Sequence, residues 1–244
     1  MTELLFDLGN TRLKYALRQA DGAGAVGFVE HHGRNDFAAL DPAVQGDVAW
    51  VAAVAPAQLR QGLLAELRRR FARVSFATTL PRMGALRIAY AEPGRLGVDR
   101  FLGLAVASEA EAAVLVAGVG TALTVDLVDA SGVHRGGRIA PSPTLMRACL
   151  AARAPHLPAQ GGDYAEFATD SDDALASGCE GAALALIERS RYEAAALLGA
   201  IPQLWMHGGG AAPLLPRLTG AINKPGLVME GLARFAALAD PGTG

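Results

Sequence analysis

The sequence predicts an α/β protein built from two similar halves, residues 1–113 and 114–244. Each half opens with an apolar strand, a short turn that combines glycine with threonine, and a second apolar strand. The two turns are Gly9-Asn10-Thr11 and Gly118-Val119-Gly120-Thr121. Strands joined by short turns run antiparallel, and strands and helices alternate after each pair. This order favours a duplicated α/β architecture over the parallel sheet of a dinucleotide-binding protein.

The individual elements follow from apolar periodicity and from turn residues. Strands are predicted at short apolar runs that end at Gly, Pro or Asn: 4–6, 13–17, 26–29, 50–54, 86–90, 114–116, 123–128, a run between Gly132 and Gly136, and 203–206. Helices are predicted at longer segments with helical periodicity: 58–73, 102–112, 143–153, 172–198 and 227–238.

Two helices carry further expectations. In the first, Leu59, Leu63, Leu67 and Phe71 recur every four residues, which places the run 68–70, three arginines, on a solvated helix face. The fourth helix is expected to break near Gly178 or Gly181, because glycine destabilises a helix interior.

Composition limits the kind of protein. With 51% hydrophobic residues, 22 Lys and Arg and 24 Asp and Glu, the chain can bury a core and carries a net charge of -2. We therefore expect no nucleic-acid partner and no membrane partner. Cys149 and Cys179 are too few for a disulfide framework, and the residues after Met1 lack the features of a signal peptide. A cytoplasmic location is expected.

The first turn has the residue types of a nucleotide site. Gly9 and Asn10 allow backbone N–H groups to approach phosphate oxygens, and Thr11 supplies a hydroxyl. Lys14 adds a positive charge, and Asp7 could hold Mg²⁺ through water. An ordinary hairpin explains the same residues, since Asn and Gly are common turn residues.

Two further glycine turns follow in the second half. Neither strand-turn-strand segment has the P-loop pattern, and the Gly-x-Gly at 118–120 has Leu123 where a dinucleotide fingerprint has its third glycine. The third cluster, His207-Gly208-Gly209-Gly210, follows a strand and is expected to open a helix. Bare backbone there could approach an adenosine closely, although a tight strand-to-helix turn would need the same glycines.

In this order, the three turns resemble the two phosphate segments and the adenosine segment of the actin, Hsp70 and sugar-kinase superfamily. That resemblance implies two actin-like (ribonuclease H-like) domains with a nucleotide cleft between them. The residues that it assigns to ATP are Asp7, Gly9, Asn10, Thr11, Lys14, Gly120, Thr121, Gly208 and Gly209.

Within the superfamily, the sequence resembles the type III pantothenate kinases along nearly its whole length. The matching segments are Asp-x-Gly-Asn-Thr-x-x-Lys at 7–14, Tyr90-x-x-Pro93, Gly-Val-Asp-Arg at 97–100, Gly-Thr-Ala-x-Thr-x-Asp at 120–126, Gly-Gly-x-Ile-x-Pro at 136–141 and Leu157-Pro158. The resemblance implies phosphorylation of pantothenate by ATP, the first step of coenzyme A biosynthesis, in a homodimer.

The family pattern also implies roles at the acceptor. Asp99 would be the general base on the pantothenate hydroxyl, a role that suits phosphoryl transfer to an alcohol. Tyr90, Gly97, Val98, Arg100 and Ser171 would bind pantothenate. Taken alone, Asp99 and Arg100 could equally be a surface ion pair at a helix start.

The sequence departs from the family pattern at three places. The family has Asp where Gly118 stands, and that Asp contributes to the site of a monovalent cation, K⁺ or NH4⁺, so the cation ligand here is unknown. Asp126 lies too far along the strand to be assumed a substitute. Ser171 stands where the family has Thr and is also a candidate helix N-cap, and Pro141-Ser142 replaces Pro-Gly.

Three functions remain open from the sequence. The first is an active pantothenate kinase that uses ATP and Mg²⁺. The second is a nucleotide-binding accessory or regulatory protein of the same fold with impaired catalysis, which the loss of a carboxylate at Gly118 motivates. The third is a kinase for another small alcohol such as a sugar.

Overall fold

The computed structural model describes residues 1–20, 22–35, 37 and 39–239. The strands in this part of the chain are β1 Glu3–Leu8, β2 Arg12–Gln19, β3 Gly22–Ala23, β4 Gly27–Glu30, β5 Gly46–Ala53, β6 Phe71–Phe76, β7 Arg82–Met83, β8 Leu86–Arg87, β9 Val114–Val119, β10 Ala122–Val128, β11 His134–Pro141, β12 Gln203–His207 and β13 Ala221–Asn223. The α-helices are α1 Ala57–Leu67, α2 Val98–Ala107, α3 Pro143–Arg153, α4 Ser171–Leu198 and α5 Leu227–Ala239.

The chain forms two compact units. The first contains Met1–Val106 and the C-terminal segment that starts at Gly226, and the second contains Ala107–Pro225. The final helix, α5, thus groups with the first unit, whereas the sequence-based division kept residues 114–244 together. It packs on β1, β2, β3 and β5 of that unit.

The first unit is built on a sheet with the order β3-β2-β1-β5-β6, in which β4 also pairs with β2. Strand β1 is antiparallel to β2 and parallel to β5, and β5 is parallel to β6. Side chains alternate between the two faces. Phe6 and Leu8 pack in one apolar cluster with Leu59 and Leu63 of α1, so Asp7 lies on the opposite face.

The second unit repeats this arrangement. Its sheet has the order β11-β10-β9-β12-β13. Strand β9 is antiparallel to β10 and parallel to β12, and β12 is parallel to β13. Val119 and Leu123 pack with Ala183 and Ile187 of α4. Gly118, like Asp7, is on the face opposite this cluster, and the predicted duplicated α/β fold is confirmed.

Several predicted elements differ from the structure. Helix α1 ends at Leu67, and Phe71 begins strand β6, because its backbone pairs with Gly46 of β5. The arginines at 68–70 therefore follow the helix, and Arg69 and Arg70 both bond to Glu66. Helix α4 continues through both of its interior glycines, since it buries Ala183, Leu184 and Ile187 along one face.

Smaller differences concern the connections. The predicted strand 86–90 has only the two residues Leu86–Arg87 in its pairing with β7. After the glycines at 208–210 comes a short 3-10 turn, Leu215–Arg217, in place of the predicted α-helix. The strands Arg82–Met83 and Ala221–Asn223 were not predicted. No helix of the described residues is both long and apolar enough to cross a bilayer.

Candidate active site

The first turn lies at the end of β1. Asp7 is paired with Lys14 on β2 and with Ala52 on β5, so it occupies the centre of three strands. The turn closes through a hydrogen bond of 3.0 Å from Gly9 N–H to Arg12 O. Asn10 and Thr11 are exposed at its tip. The turn thus presents Asp7, Gly9, Asn10, Thr11 and Lys14 from one strand end.

Asp7 has a strongly perturbed carboxyl group. The residue is partly exposed, but protein atoms surround the carboxyl group and raise its pKa to about 6, a shift that Lys14 opposes and the negative charge of Asp99 increases. Asp7 and Asp99 are therefore close enough to interact electrostatically. A divalent cation bound near Asp7 would offset this repulsion.

A buried histidine that was not among the predicted site residues supports this turn. His31 is 2% exposed. Its Nδ1 accepts a hydrogen bond of 3.1 Å from Gly33 N–H, so its Nε2 carries the proton and donates to Gly9 O at 3.2 Å. The N–H groups of His31 and His32 both donate to Thr11 O. No pattern in the sequence connects this segment with the turn.

The start of α2 holds residues that the sequence predicts to bind the acceptor. Asp99 is in the first turn of the helix, and its Oδ1 accepts a hydrogen bond of 2.8 Å from Arg100 N–H. A Cβ at position 97 would lie 2.7 Å from Asp99 Oδ1, so glycine gives this carboxylate its room. Val98 begins the helix and is buried.

Arg100 is directed toward Tyr90. It is 8% exposed, its guanidinium donates to Tyr90 Oη at 3.4 Å, and its Cζ lies 6.0 Å from the centre of the tyrosine ring. Because Arg100 is buried, the alternative of a surface ion pair with Asp99 does not describe this residue. Tyr90 precedes the short 3-10 turn Pro93–Arg95, and Asp99 and Arg100 follow it, so the turn brings the two sides of this contact together.

The second and third glycine turns form one substructure in the second unit. Gly120 N–H donates to Ala122 O at 2.9 Å, which closes the β9–β10 turn with Thr121 at its tip. Val119 O accepts a hydrogen bond of 3.0 Å from Gly210 N–H. Gly208 has φ +93°, and a Cβ there would lie 2.3 Å from Val119 O. The segment 208–210, including Gly209, is therefore seated directly on the end of β9.

Gly118 has no open space above its Cα. A Cβ at this position would lie 2.7 Å from Nε2 of His207 and 2.9 Å from Oγ1 of Thr124. These neighbours follow from the strand register, which pairs Gly118 with His207 on β12 and with Thr124 on β10. The place of the family carboxylate is thus filled by an imidazole ring and a hydroxyl.

Asp126 does not replace that carboxylate. It pairs with Val116 rather than Gly118 in the β9–β10 register. It is 3% exposed, and its Oδ1 lies 3.1 Å from Nε2 of the buried His134. The carboxylate is thus part of a buried pair within the sheet.

Ser171 is at the start of α4 but does not cap it. The N-cap is Asp170, whose carboxylate accepts hydrogen bonds of 3.0 Å from the N–H groups of Asp172 and Asp173. Ser171 is exposed as the first helical residue, so its hydroxyl is not required by the helix. Ser142, at the position of the family's glycine, caps α3 by accepting from Leu145 N–H at 3.3 Å.

The two units and their strand-end turns define the class of protein. The chain has the fold of the actin-like kinases and ATPases. A ROK family glucokinase from Streptomyces griseus, solved with glucose and AMPPNP, has a TM-score of 0.51 at 12% identity and covers 99% of this chain and 100% of its own. A Baf family protein from Campylobacter jejuni has a TM-score of 0.65 at 19% identity, with 98% of each chain covered. At these identities both likenesses show the fold alone.

Sequence relationships define the family. Residues 3–192 match the type III pantothenate kinase family. A type III pantothenate kinase from Stenotrophomonas maltophilia (strain R551-3) is 54% identical over 238 residues, which cover 97% of this chain and 98% of that protein. The chain belongs to the type III pantothenate kinase family.

Proposed function

We propose that this chain transfers the γ-phosphoryl group of ATP to the hydroxyl group of pantothenate and so forms 4′-phosphopantothenate, the first step of coenzyme A biosynthesis. The observation that carries the proposal is the interaction between Asp7 and Asp99 in a chain that belongs to this family. One carboxylate is on the phosphate turn and the other is at the start of the acceptor helix. Kinases commonly use one acidic residue to hold the metal ion on the phosphates and another to orient or deprotonate the acceptor hydroxyl.

On the ATP side, the proposed ligands are backbone N–H groups and a few side chains. Gly9, Asn10, Thr11 and Lys14 would bind phosphate oxygens from the first turn, Gly120 and Thr121 from the second, while Gly208 and Gly209 would lie against the adenosine. Asp7 fits a role in holding Mg²⁺ through water, because Mg²⁺ keeps several waters and uses few carboxylates. The bound ion would neutralise charge on the transferring phosphate.

On the acceptor side, Asp99 would accept the proton of the pantothenate hydroxyl as that oxygen attacks the γ-phosphorus. The Gly97 backbone leaves its carboxylate unobstructed, and the bond from Arg100 N–H fixes its orientation. Arg100, Tyr90, Val98 and the Ser171 hydroxyl would hold the pantothenate. A guanidinium that is buried against a phenol ring is well placed to bind the pantothenate carboxylate.

The family pattern also implies a monovalent cation, and here the residues do not fit one. A cation site built on a carboxylate at position 118 is not possible here, because the residue is glycine and the His207 ring and the Thr124 hydroxyl fill the space beside it. We therefore assign no step to such a cation.

We propose that the protein is located in the cytoplasm and forms a homodimer. An apolar groove of about 490 Å³ lies along α3 and α4, lined by residues such as Met146, Leu150 and Leu175, and supports self-association through these helices. Cys149 and Cys179 are both free thiols, which suits a reducing compartment. Light scattering would test the dimer.

The kinase proposal is tested by coupled ADP detection with purified protein, ATP, Mg²⁺ and pantothenate. We expect pantothenate-dependent ADP formation, and Asp99→Asn should lower kcat by roughly 10²- to 10⁴-fold, the usual worth of a general base. KM for ATP should change little. Glu188→Gln, which neutralises an exposed carboxylate on α4, is the matched control and should behave like the unmodified protein.

Two results would reject the proposal. One is the absence of pantothenate-dependent ADP formation with every cation tried. The other is an Asp99→Asn variant with unchanged turnover. ATP binding without any phosphorylation would instead support the accessory-protein alternative, and activity on sugars alone would support the third.

A further inference from the structure

The end of strand β9 combines a missing side chain with an imidazole in the place it leaves. Gly118 is buried, and His207 and Thr124 are only partly buried beside it. The ring nitrogen Nε2 of His207 and the hydroxyl oxygen of Thr124 both lie within 3 Å of the point where a Cβ would be, at 2.7 and 2.9 Å. Any residue other than glycine at position 118 would displace the imidazole.

Strand pairing and the following loop hold His207 in this position. It is the last residue of β12, and its register partner on β9 is Gly118 itself. Immediately after it, Gly208 and Gly210 fix the chain on Val119, through a close backbone approach and a hydrogen bond of 3.0 Å. The imidazole therefore belongs to the same rigid strand end as the Gly120-Thr121 turn.

We propose that His207 takes over the work of the family carboxylate at position 118 by contacting the phosphate groups of ATP directly, so that phosphoryl transfer by this chain needs no potassium or ammonium. This inference depends on the proposed kinase function. A carboxylate near a polyphosphate requires a cation between the two anions, because they repel each other. An imidazole N–H can donate to a phosphate oxygen without such a bridge.

Replacing an aspartate at position 118 by glycine, with His207 beside it, changes both the charge and the space near the phosphates in the direction that the proposal requires. Removing the Asp side chain removes one negative charge next to the phosphates, and the bare Cα provides the room that the ring occupies. Thr124 adds a hydroxyl on the other side, and a hydroxyl can both donate and accept. Gly118 and His207 thus act as a pair, and neither residue has its effect without the other.

The test uses the full-length protein in steady-state assays of kcat and KM for ATP, first in sodium or choline salts and then with added KCl or NH4Cl. Activity of the unmodified protein should change less than about two-fold on addition of either salt. His207→Ala should lower kcat/KM for ATP by about 10- to 100-fold, as expected for a lost hydrogen bond to a charged group. His207→Gln, which keeps an N–H donor, should lose less.

Two controls separate a phosphate contact from a structural effect. His156→Ala removes an exposed imidazole and should leave the kinetics unchanged. Gly118→Ala should lower kcat/KM by displacing the ring, so the double variant Gly118→Ala/His207→Ala should be no worse than His207→Ala alone. Thermal melting followed by circular dichroism shows that each variant is folded.

The inference is overturned if the unmodified protein is active only with potassium or ammonium. It is also overturned if His207→Ala and His207→Gln both retain full activity, or if the effects of the two single alanine changes simply add. A protein that is inactive in every salt would instead contradict the kinase function itself.

Discussion

The two strand-end turns have the same strand pairing, but they carry their polar side chains on different strands. In the first unit, Asp7 is the second-to-last residue of β1 and lies beside an alanine on the parallel neighbour, Ala52. In the second, the corresponding residue is Gly118, and its parallel neighbour is His207. In the proposed site, the first turn therefore places its functional side chain on the central strand, and the second turn places it on the adjacent strand.

The antiparallel neighbours differ in a related way. Asp7 is opposite Lys14, whose positive charge lowers the pKa of the carboxyl group. Gly118 is opposite Thr124, an uncharged residue, and the proposed role of His207 requires no balancing cation there. In the proposed roles, changes at three paired positions convert a metal-holding strand end, here called the first corner (Asp7, Lys14 and Ala52), into a neutral hydrogen-bonding strand end, the second corner (Gly118, Thr124 and His207).

Among changes at the two strand-end turns, Asp7→Asn should have the largest effect, because it removes the carboxylate that distinguishes the first turn from the second. We expect kcat/KM to fall by about 100-fold or more, since a metal-bound phosphate loses its anchoring group. The activity of the unmodified protein should also fall as the pH drops through about 6, where Asp7 takes up a proton. A pH-rate profile would check this, and a rate that stays constant down to pH 5 would contradict it.

The same variant should be more stable than the unmodified protein when no ligand is bound. The folded-state pKa of Asp7 is raised from 3.8 to about 6, so the folded protein binds the proton more tightly than the unfolded chain does. Stability is therefore lost as the pH rises through this window. At pH 8, Asn should add about 1 to 2 kcal/mol after allowance for partial exposure, and at pH 4 most of this gain should disappear. Urea unfolding at both pH values would measure it.

Gly118→Asp should have the second-largest effect of these changes. It gives the second corner an aspartate like that of the first, but the His207 ring and the Thr124 hydroxyl leave no space for the new side chain. The new Cβ would lie 2.7 Å from Nε2 of His207, so the ring must move, and kcat/KM for ATP should fall roughly 10-fold or more, as for a lost charged hydrogen bond. Restoring the family residue should thus damage this protein. Activity equal to or above that of the unmodified protein would show that the corners are interchangeable.

The turns could be predicted because their signals are local. Gly9-Asn10-Thr11 and Gly118-Val119-Gly120-Thr121 lie between adjacent apolar strands, and the predicted helix 143–153 matches α3 because Ser142 and Pro143 mark its start. The predicted end of α1 at residue 73 was wrong, because Phe71 continues the four-residue spacing of the helix by chance. Only its pairing with Gly46, far away in the sequence, makes Phe71 part of a strand.

The candidate site could likewise be predicted only where its signals are local in the sequence. Asp7 and Asp99 could be selected from their motifs, and Gly118 could be recognised as a departure from the family pattern. The role of His207 depends on the β9–β12 register, and that of His31 depends on a loop that returns to the first turn. Such contacts join distant segments and leave no periodic signal, so they became visible only in the structure.

The smallest predicted effect concerns the support of the first turn. That turn is held by the His31 side chain, whereas the second turn is held by the backbone N–H of Gly210. His31→Leu removes the donor to Gly9 O and the acceptor for Gly33 N–H. We expect a loss of about 1 to 3 kcal/mol of stability, the cost of leaving buried polar groups unsatisfied. KM for ATP should rise by about three- to ten-fold, with a smaller change in kcat, because in the proposed site the turn binds phosphate but does not contact the acceptor.

The neighbouring histidine provides the matched control for this prediction. His32 is exposed, bonds to Glu30 and has φ +48°, which Asn tolerates, so His32→Asn should be close to neutral. Burial lowers the pKa of His31, so the unfolded chain takes up the proton first as the pH falls, and stability should decline below about pH 6.5. His31→Leu should show a weaker decline there. If His31→Leu and His32→Asn bind ATP with equal affinity, the His31 side chain does not position the first turn, and both corners depend on backbone contacts alone.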